Sequence, residues 1–240
     1  MYIHTWNRIK FGMWLGIALI VIATIIAANA YRTDTLALSS AASVAPINAL
    51  DLLEGIGFTG SFADEDVAYL RDSLQFLHGY APEWYAYVAE AKPLMLAVDL
   101  SEGERGLAAK SQCCDERGYG LITFGDHFGD WSADAQDQSV QTRQITFLST
   151  LIHEVTHIRD RRAGRIPAKI DYAACVTSER AAFTQEVDFK RALVSATPSI
   201  PVLNELHRAT LKKQINAEAS ALEGNAVNLY CLPVAVSGSE

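Results

Sequence analysis

Positive charge is in short supply. The 240 residues hold 20 Lys and Arg against 28 Asp and Glu, a formal net charge of −8. A chain with that balance is not built chiefly to grip nucleic acid phosphates, and no nucleic acid partner is expected. No repeat of about 20–50 residues is present, which argues against solenoids and propellers. No C-x-x-C pair occurs among the four cysteines, which argues against a zinc site built from them. Apolar residues are not lacking. They make up 50% of the chain, which excludes a disordered or collagen-like protein.

Charge is also absent from one continuous stretch, Phe11–Tyr31, and Gly12–Ala28 is almost wholly apolar. Arg8 and Lys10 precede it, while Arg32 and Asp34 follow and cancel. An uncharged run of about 20 residues is long enough to span a bilayer. The basic flank puts residues 1–10 in the cytoplasm and the remainder across the membrane. Ala28-Asn29-Ala30 also reads as a cleavage site of the A-x-A kind. The run exceeds a usual signal-peptide core, so an uncleaved single-pass anchor over 11–31 is the expectation, with a secreted or periplasmic product cleaved at Ala30 as the alternative. Residues 32–50 (Thr-, Ser- and Ala-rich) read as a tether, and 51–240 as one domain.

Export changes how Cys113, Cys114, Cys175 and Cys231 read: an even number in an oxidising space points to disulfides. A bond between the adjacent Cys113 and Cys114 is the least expected pairing, because neighbouring residues force a tight ring; each of the two is expected to bond to Cys175 or Cys231, or else one pair forms and two thiols stay free. At least one bond is expected, with Cys231 its foremost candidate, since it would pin the C-terminal segment. A pin on Cys175 would fix the start of the helix carrying Glu179.

Along the domain, Val67, Leu70, Leu74 and Leu77 have helical spacing over 64–78, and a shorter helical stretch follows over 81–91. Residues 94–100 (LMLAVDL) and 120–125 (GLITFG) read as strands, 101–118 and 126–139 as loops. Helices are predicted over 142–162, 171–194 and 203–228, with Gly164, Pro167, Pro198 and Pro201 as stops. The order gives an α+β fold with segregated layers.

The chemistry sits in the first long helix, where His153-Glu154-Val155-Thr156-His157 form H-E-x-x-H. Residues i and i+4 of a helix lie about 40° apart around its axis, so both imidazoles can face one ion. Glu154 lies about 100° from His153, placed for a metal-held water rather than for the metal. A Zn²⁺ in such a site lowers the pKa of its water toward ~7, and the carboxylate takes the proton. With Ile145 at 0°, residues Leu148, Leu151, Ile152, Val155 and Ile158 fall between about −140° and −20°. The histidines fall near 80° and 120°, off that stripe.

A zinc site with two histidines needs a third protein ligand. The extended H-E-x-x-H-x-x-G-x-x-H pattern is excluded, because Asp160 and Ala163 stand where it needs glycine and histidine. A glutamate on a later helix is the other common solution. Glu179, in Ser178-Glu179-Arg180-Ala181-Ala182-Phe183, follows His157 by 22 residues, and Ala181 and Ala182 would let two helices approach. Asp171 and Glu186 are the rival third ligands.

In these residues the chain resembles the zincin superfamily, and within it the glutamate-liganded, gluzincin-like metallopeptidases. The resemblance covers 145–190 well (LIHEVTHIRD, a glycine, then SERAAF) and 94–125 loosely, as a short sheet whose edge strand lies over the cleft. It implies a minimal zincin-like domain: a small sheet, an active-site helix and C-terminal helices behind an N-terminal transmembrane or signal segment. It implies Zn²⁺ as cofactor, His153, His157 and Glu179 as its ligands, Glu154 as catalytic base, and a peptide or protein substrate. One departure stands out. Many members carry, four residues after the ligand glutamate, a carboxylate that orients a ligand histidine; here that position is Phe183, and Asp160, Asp171 or Glu186 would have to substitute.

Other residues fit bland roles better. His127 beside the second strand could steady an oxyanion, as could Tyr172 or Tyr230, but rim and packing roles are commoner. His207 reads as a solvated helix position, and Arg159–Arg165 as a basic helix end complementing the dipole. The expected function is a membrane-anchored, exported zinc peptidase. The alternative is a catalytically silent zinc-holding module in envelope binding or assembly.

Overall fold

The computed structural model describes residues 52–104, 108–128, 140–167, 170–196, 205–223, 227–228 and 231. The expected anchor over 11–31, the tether over 32–50 and Tyr230 lie outside the described residues. No helix among the described residues is long and apolar enough to cross a membrane.

The chain alternates before it turns helical. The order is β1 (Ile56–Gly60), α1 (Asp64–Tyr80), α2 (Pro82–Ala89), β2 (Leu94–Val98), α3 (Leu100–Glu104), β3 (Ala109–Gln112), β4 (Gly120–Phe124), α4 (Val140–Arg162), α5 (Tyr172–Ser195) and α6 (Glu205–Glu223). The four strands lie in the order β1-β2-β4-β3. β2 runs parallel to both β1 and β4, while β3 is antiparallel to β4 on the edge. A parallel pair needs a crossover, and α1 with α2 provides it between β1 and β2.

β2 and β4 are the central strands and have the apolar runs that such strands need. Leu94, Leu96, Val98, Ile122 and Phe124 are buried on the side that joins the helices. α4 meets them with Ile145, Leu148, Leu151, Ile152, Val155 and Ile158, the whole stripe expected from periodicity, and all six are buried. The approach is close at Gly120, where a Cβ would lie 2.7 Å from the Ile158 side chain. That glycine lets α4 settle on the sheet one residue past His157. Phe124, Phe128 and Phe147 close the far end of this core with ring centroids 4.6–5.6 Å apart.

Helix ends follow local chemistry. Asp66, buried in the first turn of α1, accepts from Ala63 N at 3.0 Å and Phe128 N at 2.7 Å, and pairs with His127 Nδ1 at 2.7 Å. α4 stops at Gly164, whose φ of 68° suits only a residue without a Cβ. Gly164 N donates to Arg161 O, and Arg165 N to Asp160 O, the double closure of a left-handed C-cap. Asp171 starts α5 by accepting from Ala174 N at 2.7 Å. α6 is tied to α5 by Lys190 Nζ–Glu218 Oε1 at 2.6 Å and by Arg180 Nη1 donating to Leu222 O.

The α+β architecture agrees with expectation, with three additions. β1, β3 and α3 fall where no strand or helix was expected. β3 lies within the stretch read as the 101–118 loop, and α3 starts at Leu100, the last residue of the strand expected over 94–100, which ends at Val98. β3 is an edge strand of sequence AKSQ, only partly buried, so it carries no apolar run. β1 is also an edge, and its glycines at 57 and 60 dilute the strand pattern.

The cysteines need one correction. Cys175 pairs with Cys231, as a bond pinning the C-terminal segment requires. Cys113 and Cys114, the pairing least expected, are also bonded to each other. Neither is bonded to Cys175 or Cys231, the partners expected for them, because those two are bonded to each other.

Candidate metal centre

Two helices and one edge strand build a cleft. α4 packs against both α5 and β3, and a cavity of about 490 Å³ opens between the three. His153, Glu154 and His157 enter it from α4, Ser178, Glu179, Phe183 and Glu186 from α5, and Lys110 and Ser111 from β3. Residues on α5 recur on one face at spacings of three or four, which is why positions 175, 178, 179, 183 and 186 all reach the same cleft.

Three candidate ligand groups converge there. His153 Nε2 lies 3.1 Å from His157 Nε2 and 3.2 Å from Glu179 Oε2. Glu179 Oε1 lies 3.4 Å from His157 Nε2. Nitrogen and oxygen ligands held about 2.0–2.1 Å from a tetrahedral zinc are about 3.3–3.4 Å from one another. The imidazole–imidazole and imidazole–carboxylate distances, the latter to different oxygens of Glu179, are thus in the range that neighbouring ligands of one such ion show. Among the described residues, His153, His157 and Glu179 form the one cluster of three or more such groups able to hold a metal ion. Were all three to hold an ion, a fourth tetrahedral position would remain for another group.

The outer partners suit the same purpose. His157 Nδ1 lies 2.7 Å from Ser178 Oγ. With Nδ1–H donating to that hydroxyl, the lone pair of Nε2 faces the ligand triangle. His153 Nδ1 faces Glu186 Oε2 at 3.6 Å, so Glu186 is the outer carboxylate on that histidine. Phe183, the departure from the family pattern, packs edge-to-face on the His153 ring at 4.7 Å. Glu186, three residues further along α5, restores the missing charge.

Burial sets the electrostatics. Burial alone would pull the His153 imidazole down, but its contacts with Glu179 and Glu186, aided by the charge of Glu154, hold it up at about 10. His157 goes the other way, to about 4, through burial and the positive charge beside it on His153. Without an ion the cluster thus keeps one proton on His153. Burial raises Glu179, but its hydrogen bond to His153 and the charges of both histidines outweigh that and leave its carboxyl below the usual range. Glu154 is raised, chiefly by burial, against the opposing effects of His153 and the Ser111 hydroxyl. A buried carboxylate raised toward neutrality is suited to take and release a proton.

The other candidates stand elsewhere. Asp171 caps α5 with its carboxylate, and Asp160 pairs with Arg165, so neither acts as ligand or outer partner. Glu186 faces Nδ1 of His153, on the other side of the ring from Glu179 and His157. His127 is bound to Asp66, tying the residues after β4 to α1, and does not line the cleft. Tyr172 is half-buried at the start of α5, outside the cavity, and His207 is half-buried on α6 rather than solvated. Sequence reasoning missed the roles of Ser178 and Ser111. Ser178 stands next to Glu179 in the motif segment, where its position one residue before a ligand was the available signal. Ser111 lay in a segment read as loop, so nothing pointed to it.

No known protein family, curated protein or solved structure matches the chain.

Proposed function

We propose that the protein is an exported, membrane-tethered zinc peptidase of minimal zincin-like fold that hydrolyses peptide bonds. One observation carries the reading: a cluster of two histidines and one glutamate, close enough to share a metal ion, shares a cavity with a further carboxylate outside it, Glu154. A silent structural site has no use for that base. The disulfides Cys175–Cys231 and Cys113–Cys114 support export, since such bonds persist in oxidising compartments.

When bound, zinc supplies a Lewis acid for the scissile carbonyl and a water that ionises near neutral pH. His153, His157 and Glu179 hold the ion, and Ser178 and Glu186 fix the imidazoles. Glu154 accepts the proton of the attacking water and later delivers it to the leaving amine nitrogen. The cleft is walled on one side by β3 and partly lined by Ile170 and Phe183, so an extended peptide can lie beside the ligands with its neighbours desolvated.

The test is Glu154→Gln. The amide keeps the shape of the carboxylate but cannot accept the proton. The variant should retain about one zinc per chain, as the three-ligand set requires, and lose about 10²–10⁴-fold in hydrolysis of an unfolded protein. Equal rates for variant and wild type, or no hydrolysis by zinc-loaded wild type, would favour the silent binding module.

A further inference from the structure

The four arginines at the end of α4 resolve into different situations. Arg159 donates to Tyr87 O and Glu90 and lies over the Tyr87 ring at 3.8 Å. Arg162 donates to the carbonyls of Ala91, Lys92, Pro93 and Gly118. Arg165 is paired with Asp160. Arg161 has no hydrogen-bond or ion-pair partner among the described residues, and it alone of the four lines the metal cleft.

Its position is set by the helix. It follows His157 by one turn, which places it about 6 Å further along the axis and about 40° round from that histidine. On the angular scale that puts His157 near 120°, Arg161 falls near 160°, between the second histidine and Glu154 at about 180°. The side chain is half-buried. The cleft's other cation, Lys110, is neutralised by Glu102 at 2.5 Å. The carboxylates of Glu154, Glu179 and Glu186 all lie in the same cavity, yet none is within ion-pair distance of Arg161. The guanidinium therefore offers forked donors, not taken up by the described residues, to whatever occupies the cleft.

We propose that Arg161 is the specificity-determining residue of this cleft: it selects peptides that carry a carboxylate close to the scissile bond. This rests on the peptidase reading of the same site. An extended peptide advances about 3.3–3.6 Å per residue, so a long cationic side chain rooted about 6 Å beyond His157 along the helix axis can reach a group one or two residues from the bond over the metal. A planar guanidinium recognises a carboxylate with two parallel hydrogen bonds, and in a half-buried cleft that contact discriminates an acid from its amide. The carboxylate can belong to a Glu or Asp side chain or to the end of the substrate chain.

The test measures binding, so that it does not depend on turnover. Full-length Glu154→Gln protein, zinc-loaded in detergent, is titrated calorimetrically with synthetic peptides differing only in Glu against Gln at each position. A second pair differs in a free C-terminal carboxylate against its amide. One acid-bearing peptide should bind about ten- to hundredfold tighter than its amide partner. Adding Arg161→Gln should close that gap, and Arg161→Lys should keep part of it, since the charge remains without the fork. The peptide pair that shows the gap identifies the source of the carboxylate. No gap in either pair, a gap that survives Arg161→Gln, or no binding of any peptide overturns the proposal. Unchanged zinc content in both Arg161 variants shows that the fold and the triangle are intact. Hydrolysis of the Gln peptides by wild type tests the peptidase reading on its own: turnover without an acid-to-amide gap would leave that reading standing and remove this one.

Discussion

The sheet-facing side of α4 carries Ile145, Leu148, Ile152, Val155 and Ile158, all buried among apolar neighbours, whereas its cleft-facing side carries His153, Glu154, His157 and Arg161. The two sides are equally regular and differ in what completes them. On the first, every side chain finds its partner within the fold. On the second, two imidazole nitrogens and a carboxylate crowd to 3.1–3.4 Å, and a second and third carboxylate stand close by. Buried polar groups gathered this tightly are costly unless something of opposite charge joins them. One side of the helix therefore holds the domain together, and the other, on the reading proposed above, is completed by an ion. Each prediction below tests whether the two sides separate as cleanly as the geometry implies.

The largest effect is expected at a ligand. His157→Ala removes one corner of the triangle and should abolish stoichiometric zinc, measured by metal analysis of the purified protein. The fold should survive, because the α4 core stripe is untouched. Full zinc content in this variant would mean that the ion is held elsewhere and that the cleft side of α4 has been misassigned.

The opposite experiment comes next. Leu151 is fully packed in the core, and Leu151→Ala leaves a cavity that should cost about 2–5 kcal/mol in denaturant unfolding. Zinc per folded chain should not change. If it falls sharply while the protein is still folded, the core side and the cleft side are mechanically coupled.

Much of this division was legible in the sequence, and the reason is local. The 3.6-residue period alone separates the α4 stripe from its histidines, and Gly164 marks the helix end that the structure shows. Glu179 followed from the need for a third ligand and from the small residues beside it. The outer groups were not legible. Ser178 and Glu186 matter because α5 presents a particular face to α4, and that rotation is fixed by packing between the helices rather than by any pattern in one of them. β3 was hidden for a related reason. An edge strand along a cleft needs no apolar run, so Lys110 and Ser111 read as loop residues until pairing with β4 placed them. The Cys113–Cys114 bond was misjudged because a ring between neighbouring residues was held to be too tight, which left only Cys175 and Cys231 as partners for them.

A smaller effect is expected where the two sides share a residue. Cys175 lines the cleft and also anchors Cys231, closing a loop of 56 residues. A Cys175→Ala, Cys231→Ala double variant should lose about 2–4 kcal/mol of stability. Because Cys175 stands one turn before Glu179 on α5, zinc affinity measured by competition with a chelator should fall as well. A loss of stability with unchanged zinc affinity would show that the disulfide only fastens the C-terminal segment.

The smallest effect separates holding the ion from aiming its ligand. Ser178 touches no ligand atom of the triangle; its Oγ lies 2.7 Å from His157 Nδ1, on the far side of the ring. Ser178→Ala leaves the three ligands in place but removes the acceptor that fixes the ring and keeps the proton on Nδ1. The buried imidazole can then turn, or carry its proton on Nε2, where it opposes the ion. Outer-partner losses of this kind reduce metal affinity about 10- to 100-fold, or about 1.4–2.8 kcal/mol. Ser178→Thr, which keeps a hydroxyl at the same place, should recover most of the loss. If Ala and Thr bind zinc equally well, the Ser178 contact is packing alone, and the cleft side of α4 depends on α5 only through Glu179 and Glu186.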